Sequence, residues 1–157
     1  MDETYVRIRG RWVYLYRAVD ASGKTVDFRL SPRRNVAPAK AFFRKVLGSQ
    51  CRSPETIILD GYAASHRAVR ALQQQGRLPD LTKLRSSKYL NNLIEQDHRN
   101  VKSRLGAMLG LKNFACAVRT IRGIELMHRI RKGQFDLRAF AAQEQTTPEI
   151  WAAVLAA

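Results

Sequence analysis

With 157 residues, 45% of them hydrophobic and 26% charged, the chain has the make-up of one globular domain with a real core, which excludes a disordered tail or a fibre. Lysines and arginines number 28 against 13 acidic residues, a net charge of +15 that points to a polyanion, nucleic acid before an anionic membrane surface. Two cysteines without paired spacing, Cys51 and Cys116, exclude a zinc knuckle or disulfide framework, and there is neither a signal-peptide apolar region nor a membrane-length apolar run.

In chain order, residues 4–30 read as an antiparallel meander. Val6 and Ile8 alternate with Arg7 and Arg9, Arg9-Gly10-Arg11 is a turn, and Trp12 to Val19 is aromatic and β-branched. Asp20 to Lys24 forms a second turn, and Val26, Phe28 and Leu30 alternate again. A helix follows, with Asn35 as N-cap, Pro38 in its first turn and an apolar stripe from Ala39 to Leu47. The run Thr56 to Gly61 is short and continuously apolar until an acid and a glycine end it, as in a strand buried on both faces. Residues 62–75 form a second helix, Leu81 to Leu84 a weak edge strand, and residues 89–106 a third helix. On that helix Leu90, Ile94, Val101 and Leu105 form the apolar face. A long helix covers 112–131, with Phe114, Val118, Ile121, Ile124, Met127 and Ile130 on one side. A tail from 136 to 157 contains a short helix opened by Thr147-Pro148. The expected architecture is a mixed α/β sheet flanked by helices.

Three acids sit where packing explains them poorly: Asp2 at the start of the first strand, Asp60 at the end of the buried strand, and Glu95 on the third helix. Carboxylates gathered at strand ends, without a histidine or cysteine set, are hard oxygen ligands suited to Mg²⁺ or Mn²⁺. Taken singly each has a plain alternative. Asp60-Gly61 reads as a strand-ending turn, Asp2 as a frayed end, and Glu95 as the partner of Arg99 at i,i+4.

Asp60 and Glu95 are separated by thirty-four residues, and Lys102 follows Glu95 by seven. This resembles the DDE signature of bacterial transposases and retroviral integrases. The wording Met1-Asp2-Glu3-Thr4-Tyr5-Val6, Arg11 to Asp20, Lys88 to Arg99, Ile124-Glu125-Leu126-Met127 and Lys132-Gly133-Gln134 is similar to the insertion-sequence-six family of transposases, over residues 1–135. The resemblance implies a ribonuclease H-like, mixed five-stranded sheet with strands 1–3 antiparallel, as a catalytic domain over 1–135 followed by the tail 136–157. It implies that Asp2, Asp60 and Glu95 hold two Mg²⁺ or Mn²⁺ ions and catalyse cleavage at insertion-sequence ends and strand transfer of the 3′-hydroxyl into target DNA. Lys102 is the implied contact to element-end DNA, and Asn92, His98, Arg99 and Arg104 are the further expected DNA-binding residues. DNA ends and target DNA as partners, a homodimer or larger synaptic assembly, and a bacterial cytoplasm at the nucleoid complete the expectation.

Asp97, two residues from Glu95, diverges from it on a helix and is read as a non-ligand. His98 is read as supporting the site or touching DNA. Trp12, Tyr14 and Tyr16 are read as core before base-stacking groups, and His66 and His128 as packed or surface groups without chemistry. Family members carry a helix-turn-helix-like region ahead of the first acid, which predicts that this chain is an N-terminally shortened core with Asp2 the least anchored acid. Two other roles follow from the same residues: a non-catalytic remnant that binds DNA or inhibits full-length transposase, and a small nuclease acting on RNA–DNA hybrids.

Overall fold

The computed structural model describes residues 1–50, 52–86, 92–106, 108, 110–135 and 146–156. The meander is present as β1 (Asp2–Ile8), β2 (Arg11–Val19) and β3 (Thr25–Ser31), paired antiparallel in that order. Between β1 and β2, Arg9 and Gly10 have φ of 48° and 80°, the two positive values that a tight two-residue hairpin turn requires. Between β2 and β3, Asp20 Oδ1 accepts hydrogen bonds from the Ser22 and Lys24 amides.

Helix α1 (Val36–Gly48) starts where expected, the Asn35 side chain accepting from the Ala37 amide. Strand β4 (Thr56–Leu59) leads into α2 (Ala63–Gln74) and pairs parallel with β5 (Lys83–Ser86). The edge strand thus starts at Lys83, two residues after the expected position, because Leu81 is 91% exposed in the turn before it. Helices α3 (Asn92–Gly106), α4 (Phe114–Arg131) and α5 (Thr147–Ala156) complete the chain. Asn113 caps α4 by accepting from the Cys116 amide. Residues Tyr89 and Leu90 of the expected third helix lie outside the described residues.

The strand alternation separates two cores. Tyr16 and Ala18 pack with Phe42, Phe43, Leu59, Val69 and Leu72 beneath α1 and α2. Val6, Val13 and Leu15 point the other way and pack with Val101, Ile121 and Ile124 of α3 and α4. The meander is therefore a middle layer between two pairs of helices.

The hydrogen bonding gives a three-stranded and a two-stranded sheet, not one continuous sheet of five. The reason is overlap: β1 begins at Asp2 and β4 ends at Leu59, so the strands meet only at those ends. One bond crosses the gap, from the main-chain nitrogen of Met1 to the carbonyl of Ile58 at 2.7 Å. No helix among the described residues is long and apolar enough to cross a membrane.

Candidate active site

The meeting point of β1 and β4 gathers the acids. Asp2 opens β1 and Asp60 directly follows β4, and the two lie close enough for a protonated Asp60 to hydrogen bond to Asp2. Burial pushes the Asp60 carboxyl up, and the neighbouring Asp2 charge pushes it further. Burial acts on Asp2 in the same sense. There the His98 ring and the Glu3 amide outweigh it and hold the carboxyl below its ordinary value. His98 Nε2 stands 3.5 Å from Asp2 Oδ2, and the Glu3 amide donates to Oδ1 at 2.8 Å.

Asp2 is consequently not the loose acid. Its side chain is 13% exposed, and its residue pairs with Arg17 in the β1–β2 ladder. Glu95 is exposed in the first turn of α3. Among the described residues no three histidine, cysteine, aspartate or glutamate side chains come together as a metal-binding group. Asp2 is thus held by strand pairing, burial and the Glu3 amide, against the expectation of a poorly anchored first acid.

The expected DNA-contact residues divide. Arg99 and Lys102 are exposed on α3. Lys102 Nζ sits 4.7 Å from the Tyr5 ring centroid. Arg104 is half-buried with its guanidinium on Met127 Sδ. His98 is 6% exposed, its ring turned to Asp2 and not to the surface, which leaves it little area to offer DNA. The Asn92 side chain lies outside the described residues.

Two groups escaped the reading of the sequence. The first is a buried ionic cluster beside the acids, since Arg17 pairs with Asp2 across the ladder and Asp97 is two residues from Glu95. Arg17, wholly buried, donates from Nη2 to Glu125 Oε2 at 2.9 Å and to Asp97 Oδ2 at 3.3 Å. Its Nε lies 2.8 Å from Glu125 Oε1, an ion-pair distance without hydrogen-bond alignment. Lys132 reaches the same Asp97 oxygen at 2.5 Å, and His128 stands 3.8 Å from the other. Burial lowers the His128 pKa and raises that of Glu125, the latter against the opposing pull of Arg17. Asp97 is thus a structural ion that ties α3 to β2 and α4. The available signal was a charge in an apolar register: Arg17 within an aromatic strand, and Glu125 beside Ile124 and Ile121.

The second group surrounds Glu3, on the opposite face of β1 from Asp2. Its side chain is 3% exposed and pairs with Arg34, which lies 3.9 Å from the Tyr62 ring centroid. Burial raises the Glu3 carboxyl despite that partner, and burial likewise raises Tyr16, its cross-strand neighbour. This acid braces β1 against the loop before α1.

Residues 1–134 match the family model described as a DDE domain. The chain belongs to the DDE domain family of transposases. It is 38% identical over 133 residues to the transposase for insertion sequence-like element IS431mec of Staphylococcus aureus, covering 84% of this chain and 57% of that protein. The transposase for insertion sequence element IS257 in transposon Tn4003, also of Staphylococcus aureus, gives the same figures. An uncharacterized protein of Yersinia pseudotuberculosis is 37% identical over 79 residues, covering 49% of this chain and 74% of that one. The DDE domain thus spans a little over half the length of the transposases it matches, and its likeness fits the insertion-sequence-six family. Strand β1, the Asp2–Asp60 junction, α3 and α4 all fall inside the matched residues.

Proposed function

We propose that this DDE domain serves DNA transposition by cutting DNA at insertion-sequence ends and joining the freed 3′-hydroxyl to target DNA, with Asp2, Asp60 and Glu95 as the catalytic acids. The observation that carries the reading is the Asp2–Asp60 pair. Two carboxylates share a strand-end junction, and one is pushed up by the charge of the other after its own burial. Such a pair, only partly offset by His98 and Arg34, suits a hard divalent cation such as Mg²⁺ or Mn²⁺. Bound there, two such ions would activate the attacking oxygen and stabilise the leaving one.

The chain's own residues supply position and charge. His98 and the Glu3 amide keep Asp2 ionised and oriented. Arg99 and Lys102, exposed along α3, are placed to hold phosphates on the helix that carries Glu95. Completing the triad requires the first turn of α3 to bring Glu95 to the pair. DNA bound along that helix supplies the differential affinity for such a shift. In this reading the two sheets are parts of one ribonuclease H-like sheet, joined at the Met1–Ile58 bond, and two copies meet because two element ends are processed together.

The test is cleavage of a labelled element-end duplex with Mg²⁺. Nicked and strand-transfer products are expected, reduced roughly 10³-fold or more by Asp60→Ala. Equal cutting by that variant would remove Asp60 from the chemistry. The exposure of Glu95, with no three-acid group among the described residues, favours a second reading, a non-catalytic DDE domain that binds DNA or inhibits full-length transposase. Binding without cutting, together with inhibition of an active relative added to the same assay, would establish it.

A further inference from the structure

We propose that the tip half of the β1–β2 hairpin is a stacking platform for unpaired nucleotides of the DNA on which the acids act, an inference that rests on the DNA reading above. Tyr5 and Trp12 lie on the face of the meander that buries Tyr16 completely, yet each is 54% exposed. Neither ring belongs to the core beneath α1 and α2, and the two pack edge to face with centroids 4.9 Å apart. A tryptophan and a tyrosine left this open forgo burial that the rest of the sheet obtains.

Cations surround the pair. Arg7 Cζ lies 5.7 Å from the Trp12 ring centroid and Lys102 Nζ 4.7 Å from that of Tyr5. A groove of about 370 Å³ runs between Tyr5, Arg7, Trp12, Lys102, Leu105 and Leu111. A second, of about 560 Å³, continues past Arg7, Arg9 and Lys112 at the hairpin tip. Among the described residues no carboxylate lines either groove. The tip is fixed by the Arg9 amide, which donates to the Leu111 carbonyl at 2.9 Å. Arg9 itself holds a φ of 48°, where asparagine or glycine is the comfortable residue, so a cation is kept at a strained site.

Open aromatic faces flanked by cations, without acids, match a single strand: bases stack on the rings while phosphates meet the charges. A paired duplex offers phosphates but not its base faces, so the rings distinguish the two. Tyr5 is three residues along β1 from Asp2, roughly 10 Å. The two project from opposite faces, and Lys102 reaches from α3 to Tyr5 around the β1 edge, which marks the path of the strand.

The test uses the full chain with Trp151→Phe, leaving Trp12 as the sole tryptophan. Its probes are a labelled oligothymidine and a fully paired duplex of equal length. Oligothymidine is expected to quench Trp12 emission. Trp12→Ala should lose tenfold or more in affinity for oligothymidine and about twofold or less for duplex, with Trp12→Phe close to the parent. Lys102→Ala should weaken both probes alike. Equal loss for both probes in Trp12→Ala, or no loss for either, overturns the platform. So does a change in oligomeric state at unchanged oligothymidine affinity, which would make the patch a contact between copies. Thermal melts of Trp12→Phe and Trp12→Ala exclude misfolding as the cause. The outcome is separable from the cleavage reading: selective loss of oligothymidine in a chain that never cuts keeps the platform and removes the chemistry. Cutting with unchanged oligothymidine binding in Trp12→Ala does the reverse.

Discussion

Asp2 and Asp60 meet at one junction with opposite proton affinities, and this has a measurable consequence. The Asp60 carboxyl is raised, first by burial and then by Asp2, so the folded state binds its proton more tightly than the unfolded chain does. The resulting stabilisation is full below the ordinary carboxylate pKa and is lost as pH rises through the raised value. Asp2, whose carboxyl is lowered despite burial, contributes in the other sense: its stabilisation is present at neutral pH and lost on acidification. In the metal-free protein, Asp60→Asn is therefore expected to raise the melting temperature by a few degrees at pH 7. The gain should vanish at pH values below the ordinary carboxylate range. Mg²⁺ should raise the melting temperature of the parent more than that of Asp60→Asn. A variant that melts below the parent at pH 7 would show that Asp60 is paired and not strained.

At the scale of elements, α3 is set by charges and not only by its apolar stripe. Ile94 and Val101 are buried, but so is Asp97, held by Arg17 and Lys132 while Arg17 also holds Glu125. A buried cluster of this kind adds little over an apolar substitute, yet removing one member leaves an unpaired charge. Arg17→Met should cost about 3–5 kcal/mol, read by urea denaturation. Arg17→Met combined with Asp97→Asn and Glu125→Gln should recover part of that loss, because no uncompensated carboxylate then remains. Full additivity of the single losses would mean that the groups do not act as a cluster.

At the scale of the molecule, the net charge is +15, and exposed cations among the described residues run from Arg7 and Arg9 at the hairpin tip through Arg99 and Lys102 of α3 to Arg119 and Arg122 of α4. Binding to duplex DNA of arbitrary sequence should fall steeply with salt, on the order of 10³-fold between about 50 and 200 mM if six phosphates are engaged. Lys102→Ala should reduce the slope of log affinity against log salt by about one. A flat salt response would place the basic surface outside the DNA contact.

The element order, the turns at Arg9-Gly10 and Asp20 to Lys24, the Asn35 cap and the buried stripes of α1 and α3 were legible in the sequence, because period-two and helical patterns and cap chemistry are local properties. The wording around Asp2, Asp60 and Glu95 was legible too, and with it the DDE family. Tertiary structure decided the rest. It buried Asp97, Glu125 and His98, since a charge can enter a core only when a distant partner meets it there, as Arg17 meets Asp97 across eighty positions. It left Trp12 open, since exposure depends on what packs over a strand and not on the residue itself. It brought Asp60 to Asp2 while leaving Glu95 at the surface, because the first two acids belong to strand ends that meet and the third to a helix face fixed by packing elsewhere.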